Sequence, residues 1–150
     1  MTATTALGPL VKSVRVAASP ARAFELFTAR IGAWWPLETH SVGGSSSWLA
    51  LEPRLGGRLV ESLADGGTAK WGEVTRWEPP TRVAFTWHPG TPPEEATRVE
   101  VSFAPDGSGT LVTLVHSGWE SRRQDGATAR EGYDTGWEIV LRPYADLARE

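Results

Sequence analysis

The stretch GYDTGWEIVLRPYADLARE, residues 132–150, decides how the rest of the chain is read. Tyr133, Trp137, Val140, Leu141, Tyr144, Leu147 and Ala148 recur at steps of three, four and one, which makes a single apolar stripe on a helix. Asp134, Glu138, Arg142, Asp146 and Arg149 fall on the opposite side. Glu138 and Arg142 are four apart in the favourable order and add local support. A stripe with three large aromatics needs a wide apolar surface to lie on. Gly132 and Gly136 weaken the first turns, and Pro143 removes the hydrogen bond to the Ile139 carbonyl. The pattern therefore predicts a C-terminal helix that bends near 139–143 or starts late, with Tyr133 and Trp137 nearest the mouth of a pocket.

The surface for that helix is written in the preceding residues. After a short tail at 1–9, LVKSVRVA (10–17) reads as a strand with Val14 and Val16 on one face. Ser19 is a good N-cap with Pro20 at the first helical position, and Ala23, Phe24 and Phe27 form the buried side of a short helix. A second short turn carries Ile31, Trp34 and Trp35 and stops at Pro36. Residues 37–47, LETHSVGGSSS, are a small-residue loop of a length that serves as a binding loop, a cover or a plain connection. From 48 to 119 strands alternate with turns at Gly56-Gly57, Asp65-Gly66-Gly67 and Asp106-Gly107, an antiparallel meander. In RVEVSFA, Val99, Val101 and Phe103 alternate with Arg98, Glu100 and Ser102. The fold class is thus α+β: a curved antiparallel sheet of about six to seven strands wrapped around a long C-terminal helix, with two short helices after the first strand. One domain over 10–150 accounts for the chain.

Composition narrows the function classes. A chain of 150 residues buries about 70% of its unfolded surface. The net charge is −3, and only Lys12 and Lys70 are lysines, so no basic block favours nucleic acid or an anionic membrane. No stretch approaches the roughly 18 apolar residues of a membrane span, and the N-terminus lacks the pattern of a signal peptide. Zero cysteines leave no disulfide, thiol catalysis or thiolate metal site. A cytoplasmic location fits these features. Eight tryptophans exceed what a core of this size needs. They either pack the core or line a cavity whose broad rigid faces hold a flat or apolar ligand.

The order of elements resembles the START-like, helix-grip (SRPBCC) superfamily. It is most similar to the branch named for the C-terminal domain of the heat-shock protein 90 ATPase activator. The resemblance is carried by Ser19-Pro20 with Ala23-Phe24, by Leu55-Gly56-Gly57-Arg58, and by Gly72-Glu73-Val74 running into Trp77-Glu78-Pro79-Pro80. It continues in Arg82-Val83-Ala84-Phe85-Thr86-Trp87, Gly109-Thr110, His116-Ser117-Gly118-Trp119 and Gly136-Trp137. It covers roughly residues 10–150 and is specific for the fold, not for an activity. It implies an apolar cavity between helix and sheet. Members bind lipids, sterols, plant hormones or polyketide intermediates, and a few are cyclases or hydrolases. The eukaryotic activator contacts its chaperone with the help of an additional N-terminal domain, for which this chain has no room.

The candidate ligand-binding residues are Trp34, Trp35, His40, Trp48, Glu61, Trp71, Glu73, Trp87, His116, Trp119, Tyr133 and Trp137. Glu61 shares strand parity with Leu59 and Leu63, Glu73 with Trp71 and Trp77, and His116 with Val112 and Leu114. Each carboxylate is either ion-paired, with Arg58 or Arg76 for example, or a functional group. His116 is either held at a strand end or set in the cavity wall. His40, His88 and His116 have no metal-ligand spacing, and no G-x-S-x-G, phosphate loop or dinucleotide fingerprint is present, so neither cofactor nor metal is expected. The leading expectation is a small hydrophobic or aromatic ligand in the cavity. The alternatives are an acid–base cyclase, dehydratase or hydrolase using Glu61, Glu73 and His116, and a protein-interaction module. The last needs an apolar patch on the convex face, with Trp77 a possible member, which would equally serve a homodimer.

Overall fold

The computed structural model describes residues 7–44 and 47–149. The expected tail therefore falls, over residues 1–6, outside the described residues. Gly8 and Pro9 accept hydrogen bonds through their carbonyls from Arg130. Strands β1 (Leu10–Val16), β2 (Trp48–Leu51), β3 (Arg58–Ser62), β4 (Thr68–Glu78), β5 (Arg82–Trp87), β6 (Thr97–Asp106) and β7 (Gly109–Ser117) form one antiparallel sheet in the order β1-β7-β6-β5-β4-β3-β2. Helix α1 (Pro20–Phe27) and a 3₁₀ turn (Ile31–Ala33) follow β1, and helix α2 (Gly126–Leu147) closes the chain against the concave face. This is the expected α+β helix-grip arrangement, with seven strands.

Local chemistry accounts for the elements. The Ser19 hydroxyl accepts from the Arg22 N–H and Pro20 opens α1, whose Ala23, Phe24, Leu26 and Phe27 are buried. Val99, Val101 and Phe103 of β6 are buried, as the alternation requires. In α2, Trp137, Val140, Leu141, Tyr144 and Ala148 are buried, and Tyr133 and Leu147 are half-buried. The Tyr144 hydroxyl donates to the Ala23 carbonyl at 2.8 Å, which ties α2 to α1.

Three expectations are corrected. Helix α2 does not start late: it begins at Gly126 and continues for 22 residues through Pro143. The Ile139 carbonyl freed by Pro143 belongs to a residue on the solvent side, with Ile139 44% exposed, so water can satisfy it. Glu138 turns to Lys12 of β1 at 3.2 Å, and Asp134 joins it, so α2 is pinned to the edge strand. Trp77 is not on the convex face: its ring packs edge-on to Phe24 of α1 with centroids 5.0 Å apart.

Trp77 and Glu73 were misplaced for one reason. The β3–β4 register shifts as Leu59 pairs Gly72 and Val60 pairs Lys70, leaving Trp71 as the extra residue. A second shift between Val74 and Arg76 leaves Thr75 unpaired with β5. Two bulges replace the period of two by steps of three, so Trp71, Val74 and Trp77 face inward while Glu73 faces solvent. The same bulges bend β4 around the helix. Gly72 makes the first possible, because a Cβ there would lie 1.7 Å from the Thr86 carbonyl oxygen. Gly72→Ala should cost at least about 2 kcal/mol. Gly132→Ala, where a Cβ meets nothing within 4 Å, should be neutral or stabilise by up to about 1 kcal/mol. Urea denaturation of both variants checks the contrast.

Candidate functional site

Four tryptophans from four elements meet above the sheet. Trp35 follows the 3₁₀ turn, Trp71 sits at the β4 bulge, Trp87 ends β5 and Trp137 comes from α2. Ring centroids are 5.3 Å apart for Trp35–Trp71, 5.5 Å for Trp71–Trp87, 5.2 Å for Trp87–Trp137 and 5.9 Å for Trp137–Trp35. The contacts are edge-on or tilted, the geometry aromatic rings prefer. Beside this ring of indoles lies a cleft of about 430 Å³. Thr39, His40, Ser41 and Val42 of the small-residue loop bound one side, and Pro89 and Gly90 another. Tyr133, Gly136 and Val140 bring α2 to it.

Three of these four indoles have an acceptor for their N–H. Trp35 Nε1 donates to the His40 carbonyl at 2.7 Å. Trp71 Nε1 donates to Glu61 at 3.1 Å, and Trp137 Nε1 donates to His116 Nδ1 at 2.9 Å. The Glu61 and His116 acceptors lie outside the cleft lining, whereas His40 is part of it.

Glu61 is fully buried and has no arginine partner; it accepts from the Val42 and Gly43 N–H groups at 2.9 and 2.7 Å as well as from Trp71. Burial pushes its carboxyl up, but hydrogen bonds from Ser47, Val42, Gly43 and Trp71 outweigh that and hold it below the usual carboxylate range. One carboxylate therefore fixes both the covering loop and a wall residue. His116 is also fully buried. Its Nδ1 accepts from Trp137, so the neutral ring carries its proton on Nε2, which donates to Thr97 Oγ1 at 2.6 Å. The Thr97 hydroxyl passes the chain on to the Trp87 carbonyl at 3.1 Å. Burial first, and then the nearby Arg122, push the imidazole down to about 3.

Of the candidate residues, Trp35, His40, Trp71, Trp87, Tyr133 and Trp137 line the cleft. The others do not. Trp34 packs between Phe27 and Tyr144 and donates to the Leu26 carbonyl. Trp48 is 56% exposed on the edge strand, folded over Gly32. Trp119 stacks behind His116 at 4.1 Å. Glu73, turned outward by the bulge, pairs with Lys70 at 3.3 Å. Glu61, Glu73 and His116 are thus not gathered at a common point, and the acid–base arrangement expected of them is not formed. Among the described residues, no three His, Asp or Glu groups come together to hold a metal ion. Thr39, Ser41, Val42, Pro89, Gly90, Gly136 and Val140 line the cleft without having been singled out. The length of the 37–47 loop was the available signal for the first three. Gly136, a small residue on the aromatic face of α2, was the signal for an opening there.

Residues 17–147 match the family described as Activator of Hsp90 ATPase homolog 1-like protein. No curated protein sequence matches the chain. Among solved structures, the chain is similar to Txn09, an anthrahydroquino-γ-pyrone synthase, with 34% identity over 94% of this chain and 97% of that one and a TM-score of 0.64. It is similar in fold to BH1534 from Bacillus halodurans (24% identity, 98% and 100% coverage, TM-score 0.69). The same holds for MLL2253 from Mesorhizobium loti (20%, 93% and 95%, TM-score 0.68). No helix among the described residues is long and apolar enough to cross a membrane.

The buried histidine gives the protein a pH signature. The folded chain favours neutral His116, so the unfolded chain takes up that proton first as pH falls through 6.5. Its contribution is complete above 6.5 and is lost progressively down to about 3, by at most about 1.4 kcal/mol per pH unit. Glu61, held below 4.5, adds a second loss as pH falls below that value. Urea denaturation between about pH 7.5 and pH 5 should show stability falling with acid. His116→Phe should lower stability at pH 7.5 by about 1–3 kcal/mol, through the stranded Trp137 N–H, and flatten the slope.

Proposed function

Because the chain belongs to the Activator of Hsp90 ATPase homolog 1-like family, we propose that it binds a small, flat aromatic molecule in the tryptophan-walled cleft, within the cytoplasm. The observation that carries this reading is the make-up of the wall: Trp35, Trp71, Trp87 and Trp137 line about 430 Å³ of space, and the N–H groups of Trp35, Trp71 and Trp137 are already satisfied within the protein. That volume falls in the range of small-molecule sites, and stacking on rigid indoles costs little conformational entropy. The loop Thr39–Val42, held down by Glu61, forms the cover. A bound molecule would touch α2, the loop and the sheet together.

A second reading, cyclisation of a polycyclic aromatic precursor, is favoured by the 34% identity with an anthrahydroquino-γ-pyrone synthase. With Glu61 and His116 committed to indole N–H groups, such catalysis would rest on holding a reactive conformer and excluding water rather than on a carboxylate base.

Titration of tryptophan fluorescence with 1,8-dihydroxyanthraquinone should give saturable one-to-one quenching, with Kd on the order of 10 µM. Val140→Trp, which fills the cleft from α2, should weaken binding at least about tenfold, whereas Trp48→Phe on the exposed edge should leave it unchanged. Non-saturable quenching, or equal affinity in Val140→Trp, would sink the proposal.

A further inference from the structure

Three of the four indoles around the cleft have an acceptor for their N–H; Trp87 does not. Its Nε1 is buried with no acceptor in hydrogen-bonding geometry among the described residues, although the side chain is only 3% exposed and lines the cleft. A buried donor left unpaired is costly, and in a tightly tied cluster it calls for a reason.

The reason lies in what it faces. The Trp87 ring stands edge-on to Tyr133, at 74° with centroids 6.3 Å apart. Neither the Trp87 N–H nor the Tyr133 hydroxyl has a hydrogen-bond partner within the protein among the described residues, and both side chains line the cleft. Tyr133 is also the half-buried member of the aromatic cluster. Burial raises its pKa first, against the Trp87 and Arg122 contributions, which keeps the group a neutral donor.

The two hydroxyls of the covering loop are already engaged. Thr39 Oγ1 is 2.7 Å from His40 Nδ1. The Ser41 hydroxyl donates to the Leu37 carbonyl and accepts from the Gly44 N–H. Besides the His40 Nε2 and Trp87 Nε1 nitrogens, the side chains lining the cleft therefore leave one hydroxyl without a partner, that of Tyr133 on α2.

We propose that the Tyr133 hydroxyl, beside the unpaired Trp87 N–H, donates a hydrogen bond to a carbonyl oxygen of the bound molecule, so that the cleft selects flat aromatic ketones or quinones over hydrocarbons of the same shape. This rests on the ligand-binding reading above and specifies its ligand class. Tyr133 is a specificity-determining residue in this scheme.

The test compares 9-fluorenone with fluorene, which share a skeleton and differ by a carbonyl in place of a methylene. Calorimetry should show fluorenone bound about tenfold more tightly, although fluorene is the more hydrophobic of the two. Tyr133→Phe should bring the two affinities together by weakening fluorenone alone. The infrared carbonyl stretch of bound fluorenone should lie below its value in dry hydrocarbon, and should rise in Tyr133→Phe and, less, in Trp87→Phe. Because Trp87→Phe removes wall volume, Tyr133→Phe carries the decision. Equal affinities in the native protein, or a preference that survives Tyr133→Phe, overturn the ketone selection and leave ligand binding standing. If neither compound binds, the ligand reading itself falls, and this inference with it.

Discussion

An indole N–H cannot be buried cheaply without an acceptor, and that constraint organises this protein. Trp34, Trp35, Trp71 and Trp137 meet it with the Leu26 carbonyl, the His40 carbonyl, Glu61 and His116 respectively, whereas the buried Trp87 and Trp119 have no acceptor among the described residues. Each acceptor fixes one edge of a ring. Trp35, Trp71 and Trp137 line a common cleft. Glu61 and His116 carry titratable groups with perturbed pKa values, the usual mark of chemistry, yet they stand behind the wall. Their perturbation records a structural task. Glu61 is held below the usual carboxylate range because the Val42 and Gly43 N–H groups and the Trp71 indole converge on it, and His116 remains neutral because it is sealed between Thr97 and Trp137.

The arrangement also couples parts far apart in sequence. The loop over the cleft is held through the Val42 and Gly43 N–H groups by the carboxylate that holds Trp71. Gly43 permits this approach, since a Cβ there would lie 2.6 Å from the Leu63 side chain and 3.1 Å from Glu61. His116 links Trp137 of α2 through Thr97 to the end of β5. On the far edge, Lys12 with Asp134 and Glu138 keeps α2 on β1. These exposed ion pairs contribute little individually, and the buried apolar stripe of α2 supplies most of the attachment.

How far the site was legible depended on local period. In α2, β5 and β6 the chain keeps its ideal repeat, so Trp137, Trp87 and the inward set Val99, Val101 and Phe103 could be assigned to the inner face without coordinates. In β4 it does not. Counting by twos from Trp71 puts Glu73 beside it, whereas the bulges at Trp71 and Thr75 put Val74 and Trp77 there instead. Gly72 is the sequence trace of the first bulge, but a glycine in a strand marks several kinds of irregularity. The lining contributed by Thr39, Ser41, Val42, Pro89 and Gly90 was hidden for another reason: loop residues have no period, and their place follows from what their backbone is tied to.

The sequence by itself determined the α+β architecture, the antiparallel order of short strands, the caps of α1 and the buried stripe of the last helix. Each follows from side-chain periodicity and turn chemistry acting over a few residues. It also supplied an excess of tryptophan that pointed to either a core or a cavity wall. Only the tertiary structure decided between those uses, ring by ring. It packed Trp34, Trp77 and Trp119 away, left Trp48 on the edge, and brought Trp35, Trp71, Trp87 and Trp137 together around open space. The deciding quantities were strand register and, for Trp34, Trp35, Trp71 and Trp137, the location of an acceptor for the N–H. Both are set by contacts between segments tens of residues apart, where the local pattern of the chain carries no information.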